Sequence, residues 1–258
     1  MWLCVFCVSA GVAVRVLCGY HDVALRAPSR TIRKQNTGGC SMTKLYRSIA
    51  CTVVVAFAVL STAAAQQYTT IDFPGAIATS LNGGPNPQGT DIGSYVDTSG
   101  VNHGFRLKRR VFTTIDPPGS TNTFPNWISP EGTIVGQYFD ASNTSHGFVL
   151  AGGVYTTVDF PGAAGTALTS LNPSGQVSGF SCVVAACNTT THSFLVSKKG
   201  VFTSFDPPSA ISSLATTVIA SGVVFGSYTD SGDVGHGYQR SHGTYTTIDF
   251  PGATFTFI

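Results

Sequence analysis

Four histidines, His103, His146, His192 and His236, return once per unit of a repeating sequence, each followed by a small residue and then an aromatic one. Asp97, Asp140 and Asp230 stand six residues before three of them. Imidazole and carboxylate at fixed spacing can ligate a metal ion or move a proton, so those are the chemistries to weigh. A polar residue that recurs beside a turn has a plainer use, which is to hold the local backbone by hydrogen bonds. Equivalent positions in successive units lie too far apart to share one ion, and the third unit lacks the Asp. The seven residues therefore read as repeated structural positions. No catalytic, cofactor-binding or metal-ligating residue is assigned and no cofactor is expected; calcium within separate units stays open as an alternative.

The remaining candidates are few. Cys182 and Cys187, five residues apart in the one unit longer than its siblings, read as a possible local disulfide. Asp72, Asp116, Asp159, Asp206 and Asp249 precede the proline turns and read as turn caps. Five copies of one turn residue do not supply the unique carboxylate pair that glycoside cleavage needs. There is no Gly-x-Ser-x-Gly elbow, no phosphate-cradling glycine loop and no His-Glu-x-x-His. Glu131 and His242 are unrepeated, and they carry the alternative of an extracellular hydrolase or lyase with its site at a propeller mouth. Trp127 fits a core position or a sugar platform equally.

The elements that must position these residues follow from one octapeptide. Tyr-Thr-Thr-Ile-Asp-Phe-Pro-Gly at Tyr68–Gly75 returns as Phe112–Gly119, Tyr155–Gly162, Phe202–Ser209 and Tyr245–Gly252. Successive starts lie 44, 43, 47 and 43 residues apart, a period that marks stacked supersecondary units. In the unit from Tyr155, strands are expected at Tyr155–Asp159, Thr166–Leu171, Gln176–Ser181 and Ser193–Ser197, separated by Pro-Gly, Asn-Pro-Ser-Gly and a longer loop. Four short strands in such a period make a β-propeller-like blade. The expected fold is all-β, an array of about four four-stranded repeats with units starting at 68, 112, 155 and 202 and an incomplete fifth from 245. Either the strand pieces at the two ends pair and close a ring, or the chain stops short; both readings stand at this point, as does an open array or solenoid.

The fourth expected strand of each unit opens with Asn-His-Gly-Phe at 102–105, Ser-His-Gly-Phe at 145–148, Thr-His-Ser-Phe at 191–194 and Gly-His-Gly-Tyr at 235–238. With the Thr-Thr-Ile-Asp-x-Pro-Gly strand and the Gly-x-Tyr-x-Asp strand, the chain from Tyr68 onward resembles the bacterial extracellular HAF-repeat family, named for a His-Ala-Phe signature. Here the middle residue is Gly or Ser. The resemblance implies an exported, propeller-like protein and brings no catalytic residues with it.

Residues 42–65 have the three parts of a secretory signal: a basic start, the apolar run Ile49–Leu60 and a small-residue end at Ala65. Residues 1–41 read as a start-site misassignment or leader. If they are retained, the segment becomes an uncleaved anchor and the only route to a membrane. The expected location is secreted, cell-surface or periplasmic. Residues 1–65 carry seven Lys or Arg against one Asp, whereas residues 66–258 carry seven against eleven carboxylates, a net −4. No basic face is expected on the repeat region, so nucleic acid is not an expected partner. The reading at this stage is a non-catalytic binding or surface-interaction scaffold for an extracellular glycan or protein.

Overall fold

The computed structural model describes residues 68–258 together with Val8–Ser9 and Val12–Ala13. The signal segment and the start at Met42 lie outside the described residues. Residues 1–67 and 68–258 are separate compact units. In the first, β1 (Val8–Ser9) pairs antiparallel with β2 (Val12–Ala13).

The second unit is four antiparallel four-stranded sheets, each a meander in chain order. Sheet one holds β3 (Ala78–Gly83), β4 (Thr90–Val96), β5 (Asn102–Lys108) and β6 (Val111–Ile115). Sheet two holds β7 (Asn122–Ile128), β8 (Ile134–Phe139), β9 (Ser145–Ala151) and β10 (Val154–Val158). Sheet three holds β11 (Gly165–Leu171), β12 (Val177–Cys182), β13 (Thr191–Val196) and β14 (Phe202–Ser204). Sheet four holds β15 (Ala210–Val218), β16 (Val224–Asp230), β17 (Gly235–Ser241) and β18 (Thr244–Ile248). This is the propeller-type blade, repeated four times.

The sheets are out of phase with the octapeptide. Each Thr-rich strand closes the preceding sheet instead of opening a new one: Val154–Val158 pairs with β9, not with β11. The reason is the turn before it. Arg109-Arg110, Gly152-Gly153 and His242-Gly243 all have positive φ, the conformation of a two-residue hairpin that returns the chain directly against the strand it has just left. The Pro-Gly turn is then the passage to the next sheet. Residues 68–72, the first copy, form no strand, although Phe73 stacks on Tyr95 at 3.6 Å.

The core lies between sheets. Ile92 and Ile115 of sheet one pack with Ile128, Ile134, Tyr138 and Phe148 of sheet two; Val135 joins the Leu168–Phe194 cluster of sheet three. Leu195 packs on the Phe205–Tyr238 cluster. At roughly 1.5–3 kcal/mol for each large apolar side chain fully buried, these contacts hold the row together. Side-chain hydrogen bonds fix its register. Every first strand carries a bulge, at Asn82, Asn126, Thr169 and Thr216. The first three bulged residues donate to the next sheet's first strand: Asn82 to Pro125 O (2.9 Å), Asn126 to Leu168 O (2.8 Å) and Thr169 to Ala215 O (2.7 Å).

One glycine per sheet explains the recurrent Gly and aromatic residues. Gly93, Gly136, Gly179 and Gly226 on the second strands lie opposite Phe105, Phe148, Phe194 and Tyr238 on the third. A Cβ at any of the four would collide with a first-strand carbonyl oxygen and fall within 2.8 Å of the aromatic ring. The ring therefore covers bare backbone.

Residues 253–258 continue past β18. Phe255 bridges Gly235 in parallel, Thr256 N donates to Gly235 O (2.8 Å) and Ile258 N donates to Ser227 Oγ (3.0 Å). They lie against β17 of sheet four as the following sheet's first strand lies against the third strands of sheets one to three. Among the described residues no strand of sheet one pairs with them.

Candidate functional site

The repeated polar residues meet within each sheet, at the end where the second-to-third-strand turns lie. Asp97 sits at one such turn, and its Oδ1 accepts from Ser99 N (2.8 Å) and Val101 N (2.9 Å). Asp140 and Asp230 hold their turns in the same way. The other carboxylate oxygen faces the next strand's histidine: Nε2 of His103, His146 and His236 lies 3.5 Å from Asp97, Asp140 and Asp230. On the opposite side Nδ1 meets the Asp that ends the fourth strand. His103 bonds Asp116 at 2.8 Å, His146 bonds Asp159 at 2.8 Å and His236 bonds Asp249 at 2.9 Å. A tyrosine from the second strand stacks on each of these rings at about 5 Å and hydrogen-bonds a fourth-strand Thr, as in the Tyr138–His146 and Tyr138–Thr157 pairs.

These contacts set the protonation of the cluster. Partial burial works against the charged ring of His103 and His146, but the hydrogen bonds each ring donates to the two carboxylates, with their negative charge, outweigh it and raise the pKa. In His236 the bond to Asp249 is the leading cause of the same upward shift. Asp97, Asp140 and Asp230 are held below the ordinary carboxylate value, chiefly by backbone amides at Val101, Thr144 and Val234. Imidazole and carboxylates satisfy one another, with no nucleophile in the set. Among the described residues no group of three or more His, Cys, Asp or Glu side chains is arranged to hold a metal ion.

Sheet three departs from its siblings. His192 bonds Asp206 at 2.9 Å, and the turn aspartate is replaced by a loop in which Cys182 and Cys187 are joined as a disulfide with Cα atoms 5.1 Å apart. Ser193 stands where the other sheets have glycine. Its hydroxyl meets Ser213 Oγ (2.6 Å) and Tyr238 OH (2.9 Å), and Ser213 donates to Asp206. Ser193, Ser213 and Tyr238 are buried, and burial pushes the tyrosine hydroxyl's pKa upward. The network is closed to substrate. Two departures in the sequence, Ser193 for Gly and Tyr238 for Phe, marked it without revealing that they meet.

A recess that the sequence did not announce lies at the opposite end. A cleft of about 300 Å³ opens between sheets one and two, lined by Arg106 and Lys108 of β5, Gln88, Glu131 and the apolar Ile128, Ile134 and Leu150. Glu131 is thus in a cleft, while His242 lies in the β17–β18 hairpin of sheet four; the fold does not bring these two together. Trp127 is 37 % exposed on β7 and does not line the cleft. The expectation that the repeat region has no basic face is corrected here. All seven of its Lys and Arg lie toward this end, on the third strands or the hairpins that follow them, while nine of its eleven carboxylates lie toward the histidine end. A meander alternates direction, so charges scattered along the chain gather at opposite ends.

Fold and site together define a propeller-type repeat protein of four blades, whose repeated polar residues are spent within the sheets and whose accessible recess is cationic. No protein-family model matches the chain, and no curated protein matches it. Among solved structures it is similar to TolB from Acinetobacter baumannii, with 14% identity, TM-score 0.47, and coverage of 66% of this chain and 42% of that one. It is also similar to AofleA from Arthrobotrys oligospora, with 14% identity, TM-score 0.45, and coverage of 71% and 59%. A lectin from Aleuria aurantia in complex with alpha-methyl-L-fucoside follows at 11% identity, TM-score 0.42, and coverage of 62% and 56%. The chain spans about half the length of these proteins.

Proposed function

We propose that residues 68–258 form a non-catalytic binding scaffold of an exported protein of the HAF-repeat kind, presenting one end of its sheets to an extracellular glycan or protein. One observation carries this reading: every repeated His and its partner Asp are consumed in bonds within their own sheet. What remains accessible is a recess, with one carboxylate instead of the two that glycoside hydrolysis uses. Rigid sheets carrying differing turns suit recognition more than turnover. Glycan arrays and pull-downs from extracellular material test it. Saturable retention supports the scaffold, whereas empty screens at high protein concentration together with measurable hydrolysis of any polysaccharide would overturn it. Mass spectrometry of the exported protein tests the export half: an N-terminus at Gln66 supports it, and peptides from residues 1–41 count against it. No cofactor enters this reading. A melting temperature that climbs on calcium titration would contradict that part.

A further inference from the structure

Sheets one and two meet differently from the other neighbours. On the third strands, Gly104 and Gly147 face Pro125 and Leu168 of the following sheet, and Ser193 bonds Ser213 there. Two residues along the same face stand Arg106, Val149 and Leu195. Val149 and Leu195 pack into the apolar clusters between their sheets. Arg106 replaces that apolar contact with a cation, and the recess opens beside it. Lys108 follows on the same face, where the next two sheets have Ala151 and Ser197.

The hairpin that continues from Lys108 is also unlike its siblings. Arg109 and Arg110 hold φ of 50° and 65°, where the second sheet has Gly152-Gly153 and the fourth has His242-Gly243. Two arginines are kept in a conformation that glycine takes without strain. Four of the seven cations of residues 66–258 thus fall within five positions. Among the described residues every ion pair belongs to a histidine, so none of the four has a carboxylate within ion-pair reach. An adjoining hollow of about 480 Å³ shares Arg106 and Lys108 and continues to Arg109.

We propose that this cleft binds a carboxylate-bearing sugar, a uronic acid unit of an acidic polysaccharide. The inference rests on the scaffold reading and names its ligand class. Arg106 presents a planar fork that matches a carboxylate, and Lys108 adds a second charge beside it. Gln88 and Glu131 offer hydrogen-bond partners to ring hydroxyls, and Ile128, Ile134 and Leu150 offer a floor for the apolar face of the ring. The volume sits at the small end of the range for ligand pockets, the scale of a single sugar ring.

Calorimetric titration of the full chain with a galacturonate tetramer, a neutral tetrasaccharide and a single-stranded oligonucleotide tests it. The uronate should bind saturably, at least about tenfold tighter than the neutral sugar, and weaken as salt rises. Arg106→Val installs the residue the second sheet carries at 149, and should weaken uronate binding roughly 10- to 100-fold without lowering the melting temperature. Lys108→Gln, at an exposed position, supplies a second variant with the same expected direction. Equal binding of the neutral sugar, tighter binding of the oligonucleotide or of an acidic peptide, or unchanged binding by both variants overturns the ligand class. If the uronate fails while array or pull-down partners persist, the ligand class falls and the scaffold stands. If nothing binds, the scaffold reading falls with it.

Discussion

His103, His146 and His236 each stand between a turn aspartate and a strand-end aspartate, which couples stability to pH at three points. Their raised pKa values mean that the folded chain holds these protons more tightly than the unfolded one. That contribution is complete below the ordinary histidine value of about 6.5 and disappears as pH climbs through the folded values. The lowered values of Asp97, Asp140 and Asp230 act at the other limb, present above about pH 4 and lost as pH falls through the folded values. The melting temperature should therefore be highest between about pH 4.5 and 6.5 and decline toward about pH 8.5. His146→Gln should flatten the alkaline decline, and a melting temperature that rises steadily from about pH 6 to 8.5 would refute the account. A second test concerns the buried hydroxyls of sheets three and four. Tyr238→Phe should cost roughly 1–2 kcal/mol, because Ser193 loses a partner in a buried site. The double change Ser193→Gly with Tyr238→Phe restores the pairing of the sibling sheets. It should cost less than the two single changes summed, a coupling that a double-mutant cycle measures directly.

At the scale of the strand, backbone contact does as much as side chains. The glycine on each second strand admits the first-strand carbonyl on one side and an aromatic ring on the other. Gly136→Ala would drive a Cβ into Phe124 O and place it 2.8 Å from the Phe148 ring, so the sheet must open or the ring must leave its site. A loss of roughly 2 kcal/mol or more is expected by chemical denaturation. Alanine at Gly152, whose Cβ would meet nothing within 4 Å, should be milder, limited by the strain of its φ of 58°. The bulged residue of each first strand is the other structural device. Asn126→Ala removes the bond to Leu168 O and should cost about 1 kcal/mol, visible as a lower denaturation midpoint.

At the scale of the whole repeat domain, the sheets form a row in which consecutive members pack and sheets one and four make no comparable contact among the described residues. Coverage by neighbours therefore varies along the row. Leu81 on β3 is 49 % exposed, whereas Leu168, its counterpart on β11, is fully buried. Local opening follows the number of buried contacts, so amides of β3 should exchange with solvent faster than those of β7 and β11. Equal protection across the first strands would mean that sheet one is covered by something else. The row also segregates charge, with cations toward the cleft end and most carboxylates toward the histidine end.

The octapeptide and its period were enough to determine β structure, the number of sheets and four strands in each, because alternation and turn residues act over a few positions. The recurring His and Asp were visible as positions repeated once per unit beside a turn, but not which carboxylates each His would meet. Sequence could not assign the Thr-rich strand to the sheet it closes: Lys108-Arg109-Arg110-Val111 gives no glycine to announce a tight hairpin, and pairing is decided by how the chain returns in space. Nor could it place Arg106 beside Ile128 and Glu131, or Ser193 against Tyr238 45 residues away. Those meetings arise where one sheet's third strand faces the next sheet. Only tertiary packing sets that distance, and with it the cleft and the charged end of the molecule.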